Sequence, residues 1–202
     1  MRIGVDFDNT IACYDGIFHA VAMKHMLVPA NIGTSKDSVR NYLRAVGREN
    51  DWTELQGLVY GAHMAMVPPY PGVIDFFRRC IAFGIDIYIV SHKTRSPYRG
   101  KSQDLHAAAR SWLTQKGFFN DVGLPDERVF FELTKQDKLA RIGALKCDVF
   151  IDDLPEFLAE PQFPQNVDRV LFDPLKVAEI TPFRRMHSWN EIEAALLPKD
   201  LR

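Results

Sequence analysis

Short apolar runs that stop at a polar residue recur along this chain. Residues 2–7 (RIGVDF), 85–91 (IDIYIVS), 129–132 (VFFE), 147–152 (CDVFID) and 169–173 (RVLFD) are each too brief for a stable helix and favour β-branched or aromatic side chains. Runs of this kind, bounded by polar residues, suit strands of a parallel sheet covered on both faces. Between them the apolar period lengthens to that of a helix. Residues 72–83 carry the helical pattern and meet a stop at Gly84, and residues 103–116 repeat it and stop at Gly117. Residues 137–146 form a third such segment, with Asp137 as a possible N-cap. Ser188 and Glu191 make an S-x-x-E capping box ahead of a helix that reaches about Leu197. Strand and helix alternating in this way predict an α/β fold, a doubly wound parallel sheet.

The stretch between the first run and Pro71 breaks the alternation. It holds three helical patterns, at 16–28, 37–47 and 52–66, and Pro-Pro-Tyr-Pro-Gly at 68–72 marks the return. The expected division is therefore an α/β core of residues 1–12 plus 71–202, with a small helical insertion at 13–70. Phe18, Tyr42, Trp52, Tyr60, His63, Met64 and Met66 fall at helical spacing and read as the insertion's own core. Gly57 and Gly61 read as a close helix crossing. His19 and His25 show no ligand-like partner and receive no role.

Composition narrows the field. With 202 residues, 47% of them hydrophobic and 25% charged, the chain has material for a real core and no sign of disorder. A net charge of -1 provides no general basic field for nucleic acid or an anionic membrane, so any anion site is local. Cys13, Cys80 and Cys147 match neither zinc spacing nor a disulfide framework and read as reduced thiols. An acid at position 6 argues against a signal peptide, and no stretch is apolar for long enough to span a bilayer. A cytoplasmic protein with no membrane or nucleic-acid partner is expected, and the sequence is silent on its oligomeric state.

Candidate chemistry gathers at the ends of the strands, where open α/β sheets bind ligands. Asp6 and Asp8 follow the first strand, Ser91 ends the second, and Asp152 and Asp153 end the fourth. Lys135 and Lys138 lie in the segment just before that fourth strand. Lys138 directly follows the possible N-cap Asp137, and a lysine in the first turn of the 137–146 helix would point to the strand ends, which favours Lys138. Four neighbouring carboxylates raise one another's pKa and strain the fold, and a bound cation relieves the conflict. Magnesium takes hard oxygen ligands, a carboxylate can act as nucleophile, and a hydroxyl with an ammonium can hold phosphate oxygens.

The order of these residues resembles the haloacid dehalogenase superfamily. Asp6-Phe7-Asp8-Asn9-Thr10 matches its D-x-D-x-T motif, Ser91 its second motif, Lys138 or Lys135 its lysine, and Asp152-Asp153 its acidic pair. The resemblance implies a magnesium-dependent phosphatase acting on a small phosphorylated metabolite, a sugar phosphate or nucleoside monophosphate. It implies that Asp6 is the nucleophile and Asp8 the general acid and base, with Thr10 supporting Asp8. Ser91 and Lys138 would stabilise the phosphoryl group. Mg2+ would be held by Asp6, Asp152, Asp153 and the main-chain carbonyl of Asp8. Superfamily members that cleave carbon–halogen bonds generally lack the second aspartate, so Asp8 favours phosphate esters. The helical insertion resembles a cap, which makes Tyr14, His92 and Lys93 substrate-contact candidates beside Ser91. A phosphotransferase or mutase using the same aspartyl-phosphate, or a non-catalytic binding scaffold, are the alternatives.

Overall fold

In the computed structural model, which describes residues 1–177 and 181–198, the apolar runs pair as strands. They are β1 (Arg2–Val5), β2 (Asp86–His92), β3 (Val129–Glu132), β4 (Val149–Asp152) and β5 (Asp168–Phe172), joined by a short β6 (Arg184–Met186). The order across the sheet is β3-β2-β1-β4-β5-β6, and every pairing is parallel. The chain runs outward from β1 to β3 and then returns to β4 on the other side. That reversal makes the gap between β1 and β4 the topological switch point, where sheets of this order bind ligands. The sixth strand was not expected, since Arg-Arg-Met carries no apolar run; it pairs at the sheet edge, where one-sided burial suffices.

Two compact units make up the chain. The first holds Met1–Ala12, Pro69–His92 and the residues from Gly117 onward, and so contains the whole sheet. Its helices are α4 (Val73–Ala82), α6 (Lys135–Ala144), α7 (Pro155–Leu158) and α8 (Trp189–Leu196). Side chains alternate across a strand. Val90, Phe150 and Leu171 accordingly pack with Leu139, Ile142, Phe157 and Phe163 in one apolar cluster. Phe172, next to Leu171, turns instead to Trp189, whose ring also meets Phe76 and Phe77 of α4. Gly4 in β1 leaves room for this packing, because a Cβ there would lie 2.5 Å from the Phe150 ring.

Helix ends follow local chemistry. Gly84 and Gly117 adopt the left-handed backbone that closes α4 and α5 (Leu105–Gln115), with φ of +68° and +80°. Ser188 Oγ accepts from the Glu191 amide at 3.2 Å, and the Glu191 carboxylate accepts from the His187 amide at 2.7 Å. At α6 the N-cap is Thr134 rather than Asp137. Thr134 Oγ1 accepts from the Asp137 amide at 3.0 Å, so the helix starts three residues earlier than a cap at Asp137 would give and Asp137 lies in its first turn.

The second unit comprises Cys13–Pro68 and Lys93–Lys116. It contains α1 (Ile17–Lys24), α2 (Lys36–Ala45), α3 (Glu49–Tyr60), a 3-10 turn at Met64–Met66, and α5. Phe18, Val21, Val39, Leu43, Trp52, Leu55 and Val59 form its interior. Met66, expected inside, is half exposed. The sequence assigned residues 93–116 to the α/β core because they lie between two strands. Their contacts group them with the helices instead: the Gln103 amide donates to the Gly57 carbonyl at 2.7 Å, and the Trp112 indole to the Val67 carbonyl at 2.8 Å. The Gly57–Gly61 face thus receives the Pro97–Gln103 loop, not another helix. No helix among the described residues is long and apolar enough to cross a membrane.

Candidate functional site

Asp6 follows β1, its amide still bonded to the Ile151 carbonyl of the neighbouring strand at 2.9 Å. The chain then folds back at once. The amides of Ile11 and Ala12 both donate to the Phe7 carbonyl, and Asn9 adopts a left-handed conformation (φ 59°) that asparagine tolerates better than most residues. This turn buries Thr10 and leaves Asp8 half-buried at its shoulder. Trp189 Nε1 donates to the Thr10 carbonyl at 3.1 Å and fixes the turn from the far end of the chain. Nothing in the sequence around Trp189 signalled that role.

Two neighbouring strand ends and one helix meet at Asp6. Ser91 Oγ donates to Asp6 Oδ1 at 2.9 Å, and Lys138 Nζ donates to the same oxygen at 2.6 Å. Lys138 also donates to Asp152 Oδ2 at 2.6 Å, while Asp152 Oδ1 accepts from the Leu154 amide at 2.9 Å. Asp6, Ser91, Lys138 and Asp152 are all buried. Lys138 is the fourth residue of α6, one turn in from its cap, with its ammonium 3.9 Å from the centre of the Phe157 ring. Lys135 points elsewhere, half exposed and 3.8 Å from Glu160. Of the two candidate lysines, Lys138 alone reaches the acids.

Asp153 stands half-buried beside this group, 3.4 Å from the Thr10 hydroxyl. Carboxylate oxygens of Asp6, Asp152 and Asp153 lie within 4.8 Å of one another. Among the described residues this is the only cluster of three such ligands. An all-oxygen donor set with three negative charges against one buried ammonium fits a hard divalent cation such as Mg2+. The Asp8 side chain is not part of the cluster. Asp173, the acid that ends β5, is engaged elsewhere by Arg185 and the Val177 amide.

Electrostatics set Asp6 apart from an ordinary surface carboxylate. Burial pushes the Asp6 carboxyl up to about 7; Lys138 opposes the shift, and the charges of Asp152 and Asp8 add to it. Lys138 is held protonated, above its usual range, because the two acids outweigh its burial. Between about pH 4 and about pH 7 the metal-free folded chain therefore keeps a proton on Asp6 that the unfolded chain has released. Metal-free stability is expected to fall as pH rises from about 4 to about 7, and to level off above that. Magnesium requires the ionised carboxylate, so its binding should tighten over the same interval. Urea midpoints measured with chelator at about pH 5 and about pH 8 test this, with Asp6→Asn showing a smaller decline than the wild type.

The remaining candidates are spread over both units. His92, in the first, is exposed at the end of β2; its Nε2 lies 3.1 Å from the Leu133 carbonyl, in the segment that leads into α6. Burial of part of the ring, with the charges of Lys138 and Lys135, holds its pKa below the usual range. Tyr14 and Lys93 belong to the helical unit. Tyr14 is buried, its hydroxyl 3.3 Å from Met64 Sδ and its ring edge-on to Tyr60. The Lys93 ammonium is also buried and lies 4.8 Å from the centre of the Tyr60 ring.

The chain is thus a parallel α/β protein with an acid–lysine–hydroxyl cluster at the switch point of its sheet. Among the structures it aligns with are hydrolases of the haloacid dehalogenase superfamily, and the fold of this chain is theirs. A hydrolase of that family from Deinococcus radiodurans, with bound phosphate and sodium, aligns with a TM-score of 0.58 at 16% identity, over 99% of this chain and 96% of that one. A haloacid dehalogenase-like hydrolase from Bacillus subtilis, bound to magnesium, gives 0.57 at 13% identity, over 98% of both chains. A dehalogenase with an intermediate complex gives 0.61 at 12% identity, over 98% of this chain and 97% of that one. No protein-family model matches the sequence, and no curated protein matches it.

Proposed function

We propose that the protein is a magnesium-dependent phosphatase that hydrolyses a small phosphate monoester through a covalent phosphoryl-aspartate at Asp6. The observation that carries this reading is the geometry around Asp6. One carboxylate oxygen is held by Ser91 and Lys138, and the other takes no hydrogen bond among the described residues. That second oxygen is the one left to attack phosphorus. In the first step the Asp6 oxygen bonds to phosphorus as the ester oxygen leaves, and Asp8 gives that oxygen its proton. In the second step Asp8 takes a proton from a water that attacks phosphorus, and the Asp6 carboxylate is released. Ser91 and Lys138 donate hydrogen bonds to the phosphoryl oxygens as charge builds on them. A Mg2+ ion held by Asp6, Asp152, Asp153 and the Asp8 carbonyl would supply further charge neutralisation.

The solved structures with this fold include a dehalogenase, so the fold alone does not select the reaction. Asp8 favours phosphate esters, because a halide leaves without a proton whereas an alkoxide needs one. Bound phosphate in the Deinococcus relative and magnesium in the Bacillus relative support the same reading. The substrate is a small phosphorylated metabolite, with sugar phosphates and nucleoside monophosphates the leading classes, and the helical unit is the part assigned to substrate selection. A panel of phosphorylated metabolites at neutral pH tests the proposal. Inorganic phosphate should appear from at least one compound with magnesium present, disappear with excess chelator, and return when magnesium is restored. Transfer of the group to an added alcohol or sugar without free phosphate would indicate a phosphotransferase instead. Chloride release from a haloacid, with no phosphate release across the panel, would overturn the proposal.

A further inference from the structure

Two histidines distant in sequence meet in the helical unit. His25 closes the C-terminal end of α1, and His63 lies in the turn between α3 and the 3-10 segment Met64–Met66. Their Nε2 atoms are 3.4 Å apart, with ring centroids at 5.6 Å and planes crossing at 74°. Both backbones are pinned, the His25 amide to the Val21 carbonyl at 3.1 Å and the His63 amide to the Leu58 carbonyl at 2.9 Å. The side chains are thus aimed at each other from fixed positions.

The separation suits a shared cation better than a strong hydrogen bond. Well-formed bonds from ring N–H groups fall near 2.7–3.2 Å. Two nitrogens each about 2.05 Å from one tetrahedral zinc stand about 3.3 Å apart. Burial, followed by the charges of Lys24 and His25, holds His63 below the usual imidazole range. It therefore stays neutral near pH 7, with a lone pair for a metal. Imidazole nitrogen suits zinc, copper and nickel, whereas magnesium prefers oxygen. The chemistry is distinct from that of the carboxylate cluster.

We propose that His25 and His63 form a two-histidine site for a borderline transition cation, zinc foremost, which ties the end of α1 to the turn after α3. Among the described residues no third histidine, cysteine or acid completes a cluster there, so water fills the other positions. The nearby Lys24 charge also opposes a cation. Affinity is accordingly below that of a closed structural zinc centre. Occupancy makes the helical unit stiffer and leaves the carboxylate chemistry to magnesium.

Tag-free protein, stripped with chelator and returned to saturating magnesium, is titrated with zinc by calorimetry and by thermal unfolding. One zinc per chain and a rise in Tm are expected. His25→Gln and His63→Gln should each weaken zinc binding more than about tenfold, since losing a ligand costs at least as much as losing an outer-sphere partner. Each should remove the Tm rise. His25 is exposed, so His25→Gln keeps its metal-free Tm and serves even if His63→Gln folds poorly. Absence of zinc binding would mean the pair is a histidine–histidine contact only. Zinc binding unchanged in His25→Gln would place the ion elsewhere. Either result overturns the proposal.

Discussion

Asp6→Asn protein is expected to lose phosphate release by at least about 10³-fold on any substrate the wild type accepts, because an amide cannot take up the phosphoryl group. The loss should come without loss of fold. Asparagine matches aspartate in shape, and its carbonyl oxygen can still accept from Ser91 and Lys138, which now bond to Asp6 Oδ1. The variant also removes one of two buried acids that share a single ammonium. With chelator present near pH 8, its urea midpoint should equal or exceed that of the wild type. Inactivity with an intact midpoint separates a lost nucleophile from a lost structure. Retained activity would show that Asp6 is not the attacking group.

Lys138→Met gives the opposite pattern, a large cost to the metal-free fold. It leaves Asp6 and Asp152 buried together without the ammonium that now lies 2.6 Å from each. Breaking a buried ion pair from one side costs about 3–5 kcal/mol. In the variant the acids can recover part of that only by keeping a proton. Unfolding with chelator should therefore occur at much lower urea than in the wild type. Magnesium should restore more stability to the variant than to the wild type, because it replaces a missing positive charge. Lys135→Ala is the contrast. Its ion pair with Glu160 is long and half exposed, and such pairs contribute about 0–1 kcal/mol. Equal effects of the two substitutions would contradict the assignment of Lys138 to the buried cluster.

The sheet was legible because each central strand is buried on both faces and writes itself as an apolar run. β6 was not, since an edge strand of Arg-Arg-Met needs only backbone pairing. The acids at the ends of β1 and β4 were readable from spacing, and the parallel register then brings Asp6 and Asp152 side by side. The choice between Lys135 and Lys138 rested on where α6 begins. Thr134 caps it and Asp137 does not, which sets Lys138 one turn in from the cap and facing the strand ends. The grouping of residues 93–116 with the helices could not be read from order along the chain, because it depends on contacts such as Gln103 with Gly57. Trp189 and the His25–His63 pair were invisible for the same reason. Their partners, Thr10 for the indole and a second imidazole for His25, lie far away in sequence.

The central claim is that Asp6 receives the phosphoryl group, and trapping that group tests it most directly. Acetyl phosphate is a suitable donor because acetate leaves without needing a proton from Asp8. Asp8→Asn protein should therefore be phosphorylated by it, yet fail to activate the water that completes the cycle. Mass spectrometry of acid-quenched Asp8→Asn protein, treated with acetyl phosphate and magnesium, should find one phosphoryl group on Asp6. The group should be absent from Asp6→Asn/Asp8→Asn protein. Phosphate on another residue such as Ser91, or none on the protein while the wild type releases phosphate from the same donor, would contradict the account.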